Sequence, residues 1–299
     1  MRQTQVVVVG SANMDLVATG PTLPRPGETV LGSEFVMVPG GKGANQAVAA
    51  VRAGASCAFL GAIGSDAFGV TLRARITAAG VDTGQLRVVY GASGVALVMV
   101  NAAGENVILV TPGANAAFTG LTDGELHAVR EADVLVAQLE IPVETVTAAA
   151  VTAREAGTRV ILNAAPARQV PAELLAAVDL LVVNEPEAQA LTGRGRDEPR
   201  ALLELVPRAV LTLGGQGAWY VDRDGRSVPV PPVKVDAVDS TAAGDAFTAA
   251  LAVAWGEGRD LVDAVHWAAA AGAACVRRLG ASVALPRRIE IDELYSPPA

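Results

Sequence analysis

Along this chain, short β-branched runs alternate with longer stretches in which apolar positions recur at helical spacing. The first run, residues 6–9, is all valine and stops at Gly10, the profile of a strand buried on both faces in a parallel sheet. From 18 to 39 the pattern breaks into brief β-like pieces punctuated by Pro21, Pro24, Pro26 and Gly27, which predicts a small sheet rather than a helix. A helix opens in the glycine-rich stretch at 40–46 and runs to Ala53, a strand covers 56–61, and a helix at 67–79 ends at Gly80. Residues 88–110 hold two hydrophobic strands about a turn at 101–105, a hairpin pattern. Beyond Pro112 the alternation becomes regular, with helices at 125–131, 143–156, 171–178 and 185–191 between strands at 134–139, 159–163 and 180–183. A charged linker at 194–200 leads to another helix, a strand at 209–213 and a short strand at 218–221. Helices at 243–255 and 261–276 close the pattern. Repeated βα units predict one α/β domain over 1–299, a three-layer α/β/α fold with a mostly parallel central sheet. The two β-rich insertions, about 16–39 and 88–112, are expected to form a small β lid outside it.

Composition narrows the chemistry. With 51% hydrophobic and 18% charged residues, the 299-residue chain can bury a large core. A net charge of −8 and 4% aromatics argue against a nucleic-acid or anionic-membrane surface. Cys57 and Cys275 stand in unrelated apolar contexts, so neither a disulfide framework nor a CxxC site is expected, and the valine run is too short for a signal or spanning segment. The expected location is the cytoplasm. His127 and His266 have no partners at zinc-ligand spacing.

The sharpest chemical signal is DSTAAGD at 239–245. Small residues just before an apolar helix leave amide N–H groups pointing outward, and such a terminus attracts anions. Asp245 among those donors conflicts with a phosphate unless the carboxylate has a proton to accept, which suggests phosphoryl transfer. The competing explanation is an ordinary cap by Asp239, Ser240 or Thr241, with Asp245 favoured by the helix dipole. At a helix start, Asp245 is expected to have its pKa held down. A second signal is GGKGANQ at 40–46. It is not a Walker A loop, because Gly43 follows Lys42 where Ser or Thr is required, and no GxGxxG follows the first strand. The glycines would let backbone approach a polar ligand, with Lys42 and Asn45 as donors, or merely allow tight helix packing. Asn13, Asp15, Gln138, Glu140, Asn163, Asn184, Glu187, Thr212 and Gly214 all follow predicted strands, and strand ends of one parallel sheet share a rim.

These residues carry a resemblance to the ribokinase family within the PfkB-type sugar kinases. The matching motifs are GSANMD at 10–15, PGGKGANQAVA at 39–49, PGANA at 112–116, QLE at 138–140, NAAPA at 163–167, NEPE at 184–187, LTLG at 211–214 and the 239–245 stretch. The resemblance implies a ribokinase-like fold and ATP-dependent phosphorylation of the 5-hydroxyl of D-ribose. A sister kinase acting on deoxyribose, fructose or a nucleoside, or a non-catalytic sugar-binding protein, are the alternatives. By this resemblance Asn13, Asp15, Gly41, Lys42, Gly43, Asn45 and Glu140 hold the sugar, and Asp245 is the general base. Ala242, Ala243 and Gly244 form the anion hole, and Asn184 and Glu187 organise Mg²⁺ and phosphates. Thr212, Gly214 and Gly217 line the nucleotide. The family's monovalent cation, usually K⁺, would fall at Asp239 and Thr241, with carbonyls of Cys275, Arg278 and Gly280. Ala284 stands there in place of a usual serine. Residues 95–100 are apolar throughout, so a second copy is expected to cover the lid as a homodimer.

Overall fold

The computed structural model describes residues 3–298. The valine run becomes β1 (Gln5–Val9), followed by β2 (Asn13–Thr19), β3 (Glu34–Gly40), α1 (Lys42–Arg52), β4 (Ser56–Leu60), β5 (Ala62–Gly64) and α2 (Ala67–Ala78). Next come β6 (Arg87–Val89), β7 (Gly94–Val100), β8 (Asn106–Thr111) and α3 (Asp123–Glu131). The alternating part comprises β9 (Val134–Ala137), α4 (Val143–Ala156), β10 (Arg159–Asn163), α5 (Ala172–Ala177), β11 (Leu180–Asn184), α6 (Glu185–Thr192) and β12 (Arg208–Thr212). Two strands, β13 (Ala218–Asp222) and β14 (Ser227–Val230), precede α7 (Ala243–Gly256), α8 (Leu261–Cys275) and α9 (Arg288–Leu294).

The main sheet has the order β14-β13-β12-β11-β10-β9-β1-β4. Its pairs are parallel from β12 to β4, with β13 and β14 added antiparallel at one edge. Alternate valines of β1 serve different layers, as strand geometry requires. Val6 and Val8 join a buried cluster with α1, α7 and α8, while Val7 and Val9 join one with α3, α4 and α5. This explains a run with no polar position: neither face of β1 meets water. The three-layer α/β/α architecture is the expected one.

A separate four-stranded sheet has the order β3-β2-β7-β8. By register, Met37, Leu97 and Leu109 share one face with Phe35, and all four are exposed. Three details differ from expectation. Residues 87–89 leave the hairpin and pair with β5, because Gly91 turns the chain (φ 120°) and the Ser93 amide and hydroxyl are tied to Asp66. Strand β14 was hidden by Pro229, which an edge strand tolerates. Helix α9 is short and charged, and Trp267 Nε1 anchors it by donating to Asp292 at 2.7 Å. Among the described residues no helix is long and apolar enough to cross a membrane.

Candidate active site

Backbone contact between two glycines begins the site. A Cβ on Gly43 would lie 2.6 Å from the Ser11 nitrogen and 2.8 Å from the Gly10 Cα, so only glycine lets the start of α1 rest on the end of β1. The Ala44 amide donates to the Ser11 carbonyl at 2.9 Å and fixes that docking. Lys42, Asn45 and Gln46 are thereby delivered to the carboxyl edge of the sheet, where ligands bind in open α/β folds.

Helix α7 arrives beside them with an uncapped end. Ala242 adopts a left-handed conformation (φ 60°), and no side chain caps the helix. The ordinary-cap explanation therefore fails. Asp239 faces elsewhere, accepting from the Thr241 amide (2.9 Å) and hydroxyl (2.6 Å) and from the Gly280 amide (2.8 Å). The Ala243 amide donates to the Ser240 carbonyl at 3.2 Å, whereas among the described residues the amides of Ala242, Gly244 and Asp245 have no protein acceptor. Open space surrounds Gly244, so an anion can reach these donors.

Asp245 is buried, with 7% exposure. Its Oδ2 accepts from Asn45 Nδ2 at 3.0 Å, and its Oδ1 accepts from Gln46 Nε2 at 2.9 Å. Burial pushes its pKa up; the Lys42 charge and the Gln46 and Asn45 donors pull the other way, and Glu140 adds to the rise. The net shift is upward, which corrects the expectation from a helix start, because desolvation outweighs the local donors.

Three further charged groups share the cleft. Asp15 is pushed up to about 7, mainly by burial and then by the charges of Glu140 and Asp245. Burial works against the Lys42 charge, but Asp245, Glu140 and Glu187 outweigh it and hold its pKa above the ordinary value. Glu140 Oε2 accepts from the Ser11 hydroxyl and from the Lys42 amide. On the outer sheet, Asn13 accepts from Asn115 Nδ2 at 2.7 Å, and Asn115 is itself pinned to both backbone groups of Ala12. A cavity of about 410 Å³ runs between Asn13, Asn115 and Glu140.

The remaining candidates make no hydrogen bond to this cluster, although Glu187 acts on Lys42 and Asp245 acts on Cys275 through their charges. Asn184 and Glu187 cap each other at the start of α6, and burial raises the Glu187 pKa against the Asn184 and Lys42 contributions. Thr212 donates to the Val183 carbonyl at 3.2 Å. Gly214 has open space around it, whereas Gly217 is required by packing, since a Cβ there would sit 2.1 Å from the Val230 carbonyl oxygen. Cys275 contacts the Thr241 carbonyl through its thiol, Arg278 pairs with Glu290, and Ala284 is fully buried. Gln46, Asn115 and Ser11 carry much of the site's bonding without having been assigned to it from sequence. Gln46 had a signal: a polar residue inside an otherwise small, apolar helix face next to Asn45.

Two ion sites can be tested against these donors. Among the described residues no cluster of three or more His, Cys, Asp or Glu forms a metal cage. Glu187, electrostatically coupled to Lys42, fits a Mg²⁺ ion held mainly by water and phosphate oxygens rather than by a protein cage. Asp239 and the 275–284 segment, joined through the Gly280 amide, offer oxygen donors to a monovalent cation, but Ala284 contributes only a methyl group.

A buried carboxylate beside unclaimed amides, facing a Gly-Lys-Gly loop across the carboxyl edge of a parallel sheet, defines a phosphoryl-transfer enzyme. The family described as pfkB family carbohydrate kinase matches residues 3–288, and the chain belongs to it. It is 37% identical over 303 residues to a ribokinase of Haemophilus influenzae, covering 98% of each chain. A Bacillus subtilis ribokinase is 39% identical over 293 residues, covering 97% of this chain and 99% of that one. The Arabidopsis thaliana ribokinase solved with ribose and ATP superposes with a TM-score of 0.92 at 32% identity, over 98% of this chain and 99% of that one.

Proposed function

We propose that the chain transfers the terminal phosphoryl group of ATP to the 5-hydroxyl of D-ribose, giving D-ribose 5-phosphate. One observation carries this reading: Asp245 and the free amides of Ala242 and Gly244 lie within a single turn, so one element offers both a base and an anion site. The similarity to a ribokinase solved with ribose and ATP supports the substrate pair. A sister kinase for deoxyribose, fructose or a nucleoside would use the same machinery, while a non-catalytic sugar binder would have no use for a base beside unpaired donors.

In this reading Asn13, Asp15, Lys42, Asn45 and Glu140 hold the sugar hydroxyls, and Gly41 and Gly43 let backbone come close. Asp245 takes the hydroxyl proton; its raised pKa makes it a stronger base than an exposed aspartate. A loose transition state needs that proton removed only late, so positioning dominates. The amides of Ala242 and Gly244, spaced by Ala243, stabilise charge on the transferring group, and the Asp245 amide joins them. Thr212, Gly214 and Gly217 form the turn against which the nucleotide lies. Bound Mg²⁺ would neutralise phosphate charge, with Asn184 and Glu187 ordering its water. K⁺ would be held by Asp239, Thr241 and carbonyls of Cys275, Arg278 and Gly280, more weakly for want of a hydroxyl at Ala284. The outer sheet acts as the lid, and its exposed apolar face pairs with a second copy to form a homodimer. Use of ATP and two unpaired cysteines suit the cytoplasm.

A coupled ADP-release assay across pentoses and hexoses tests the substrate, with D-ribose expected to turn over best. Good turnover of another sugar without D-ribose turnover rejects the assignment to ribose, and no turnover of any sugar rejects the kinase reading.

A further inference from the structure

We propose that Gln46 is a positioning residue that fixes the orientation of the Asp245 carboxylate for proton transfer. This rests on Asp245 being the base and extends that reading to a residue outside the sugar-binding set. The hydrogen-bond chain starts at a backbone group that can only accept. The Val182 carbonyl takes a hydrogen bond from Asn163 Nδ2 at 3.2 Å, which turns Asn163 Oδ1 toward Gln46. Gln46 Nε2 donates to that oxygen at 3.1 Å and to Asp245 Oδ1 at 2.9 Å, using both of its hydrogens. Gln46 Oε1 accepts from Gln138 Nε2 at 2.6 Å. Reversing the Gln46 amide would set its oxygen against two acceptors and its NH₂ against another NH₂, so the direction of the chain is fixed from Val182 outward.

Gln46 and Gln138 are fully buried, and no water can replace either bond at low cost. Gly10 leaves room for Gln138, since a Cβ there would lie 1.9 Å from Gln138 Oε1. Asp245 Oδ1 is therefore committed to accepting from Gln46. Asn45 Nδ2 donates to Oδ2, so the carboxylate is held by one amide at each oxygen, and each oxygen keeps a lone pair for the proton of a substrate hydroxyl. Lys42, Glu140, Asp15 and Cys275 are the charged or titratable groups that act on Asp245, and none of them hydrogen-bonds Gln46.

The test is Gln46→Met, which keeps volume and removes the donor, assayed by steady-state kinetics across pH. The expected result is a fall in kcat of about 30-fold with KM for the sugar within about threefold, and an acidic limb of the kcat profile moved to higher pH because the carboxylate has lost a donor. Gln46→Glu, which sets a second carboxylate beside Asp245, should move that limb further. A kcat within about twofold of the parent with an unmoved limb overturns the proposal, as does a loss of activity with no movement of the limb. If Gln46→Met fails to fold, Asn163→Ala at the rim loosens the same amide; a smaller shift in the same direction is expected, and no shift overturns the proposal. Asp245→Asn is the control. If it retains full turnover the base assignment itself fails, whereas an inactive Asp245→Asn beside a parent-like Gln46→Met removes only the role of Gln46.

Discussion

Helices α6 and α7 both start at the carboxyl edge of the main sheet, yet their first turns are finished in opposite ways. At α6, Asn184 Oδ1 accepts from the Glu187 amide and Glu187 Oε2 accepts from the Asn184 amide, each at 2.9 Å, so the helix satisfies its own end. At α7 a left-handed alanine leads in and no side chain answers the amides. A good cap is worth about 1 kcal/mol, and an alanine held left-handed costs on the order of 1–2 kcal/mol. Helix α7 tolerates both because residues 245–254 are all buried in the core, so packing rather than end chemistry holds it. The contrast separates a terminus that closes on itself from one kept open for a ligand.

Removing the base should break the contrast most severely. Asp245→Asn is expected to lower kcat by roughly 10² to 10⁴ with little change in sugar affinity, read from steady-state kinetics and sugar titration. Next, Ala242→Asp gives α7 the cap it lacks, since aspartate tolerates the left-handed region. The carboxylate would occupy the amides and repel phosphate, so kcat/KM for ATP should fall by at least about tenfold while thermal stability holds or rises. Equal loss of activity and stability would show that the open end is not a ligand site. Conversely, Asn184→Ala should cost about 1 kcal/mol, a drop of roughly 2 °C in Tm by calorimetry, with a smaller effect on kcat than either change at α7.

A separate effect concerns pH. Asp15, pushed up to about 7, binds a proton more tightly folded than unfolded. Between the ordinary carboxylate pKa and about 7 the folded state therefore holds more protons, and stability falls as pH rises through that window. Thermal melts from pH 4 to pH 8 should show that decline, and Asp15→Asn should flatten it.

Much of this was readable before any coordinates. Runs such as 6–9 and 159–163 announced buried parallel strands, and the glycine, lysine and DSTAAGD motifs named the residues that the fold gathers around Asp245. What stayed hidden depends on distant neighbours. Pro229 reads as a breaker until it is known to sit on an edge. A helix start alone gives the wrong pKa direction for Asp245, because it is local, whereas the burial that overrides it comes from distant parts of the chain. Gln46 stands out as a polar residue in a small, apolar helix face, but its partners appear only when Asn163 and Gln138, far along the chain, are placed beside it.

Asn13 and Asp15 belong to the outer sheet, whereas Asn45 and Asp245 are rooted in the main body. In the proposed binding mode, a sugar grasped by both sets bridges the two sheets and acts as a rivet between them. Substrates too short to reach across would be gripped on one side only and left unaligned with the base, so the spacing of the two parts is itself a ruler for the molecules this enzyme processes.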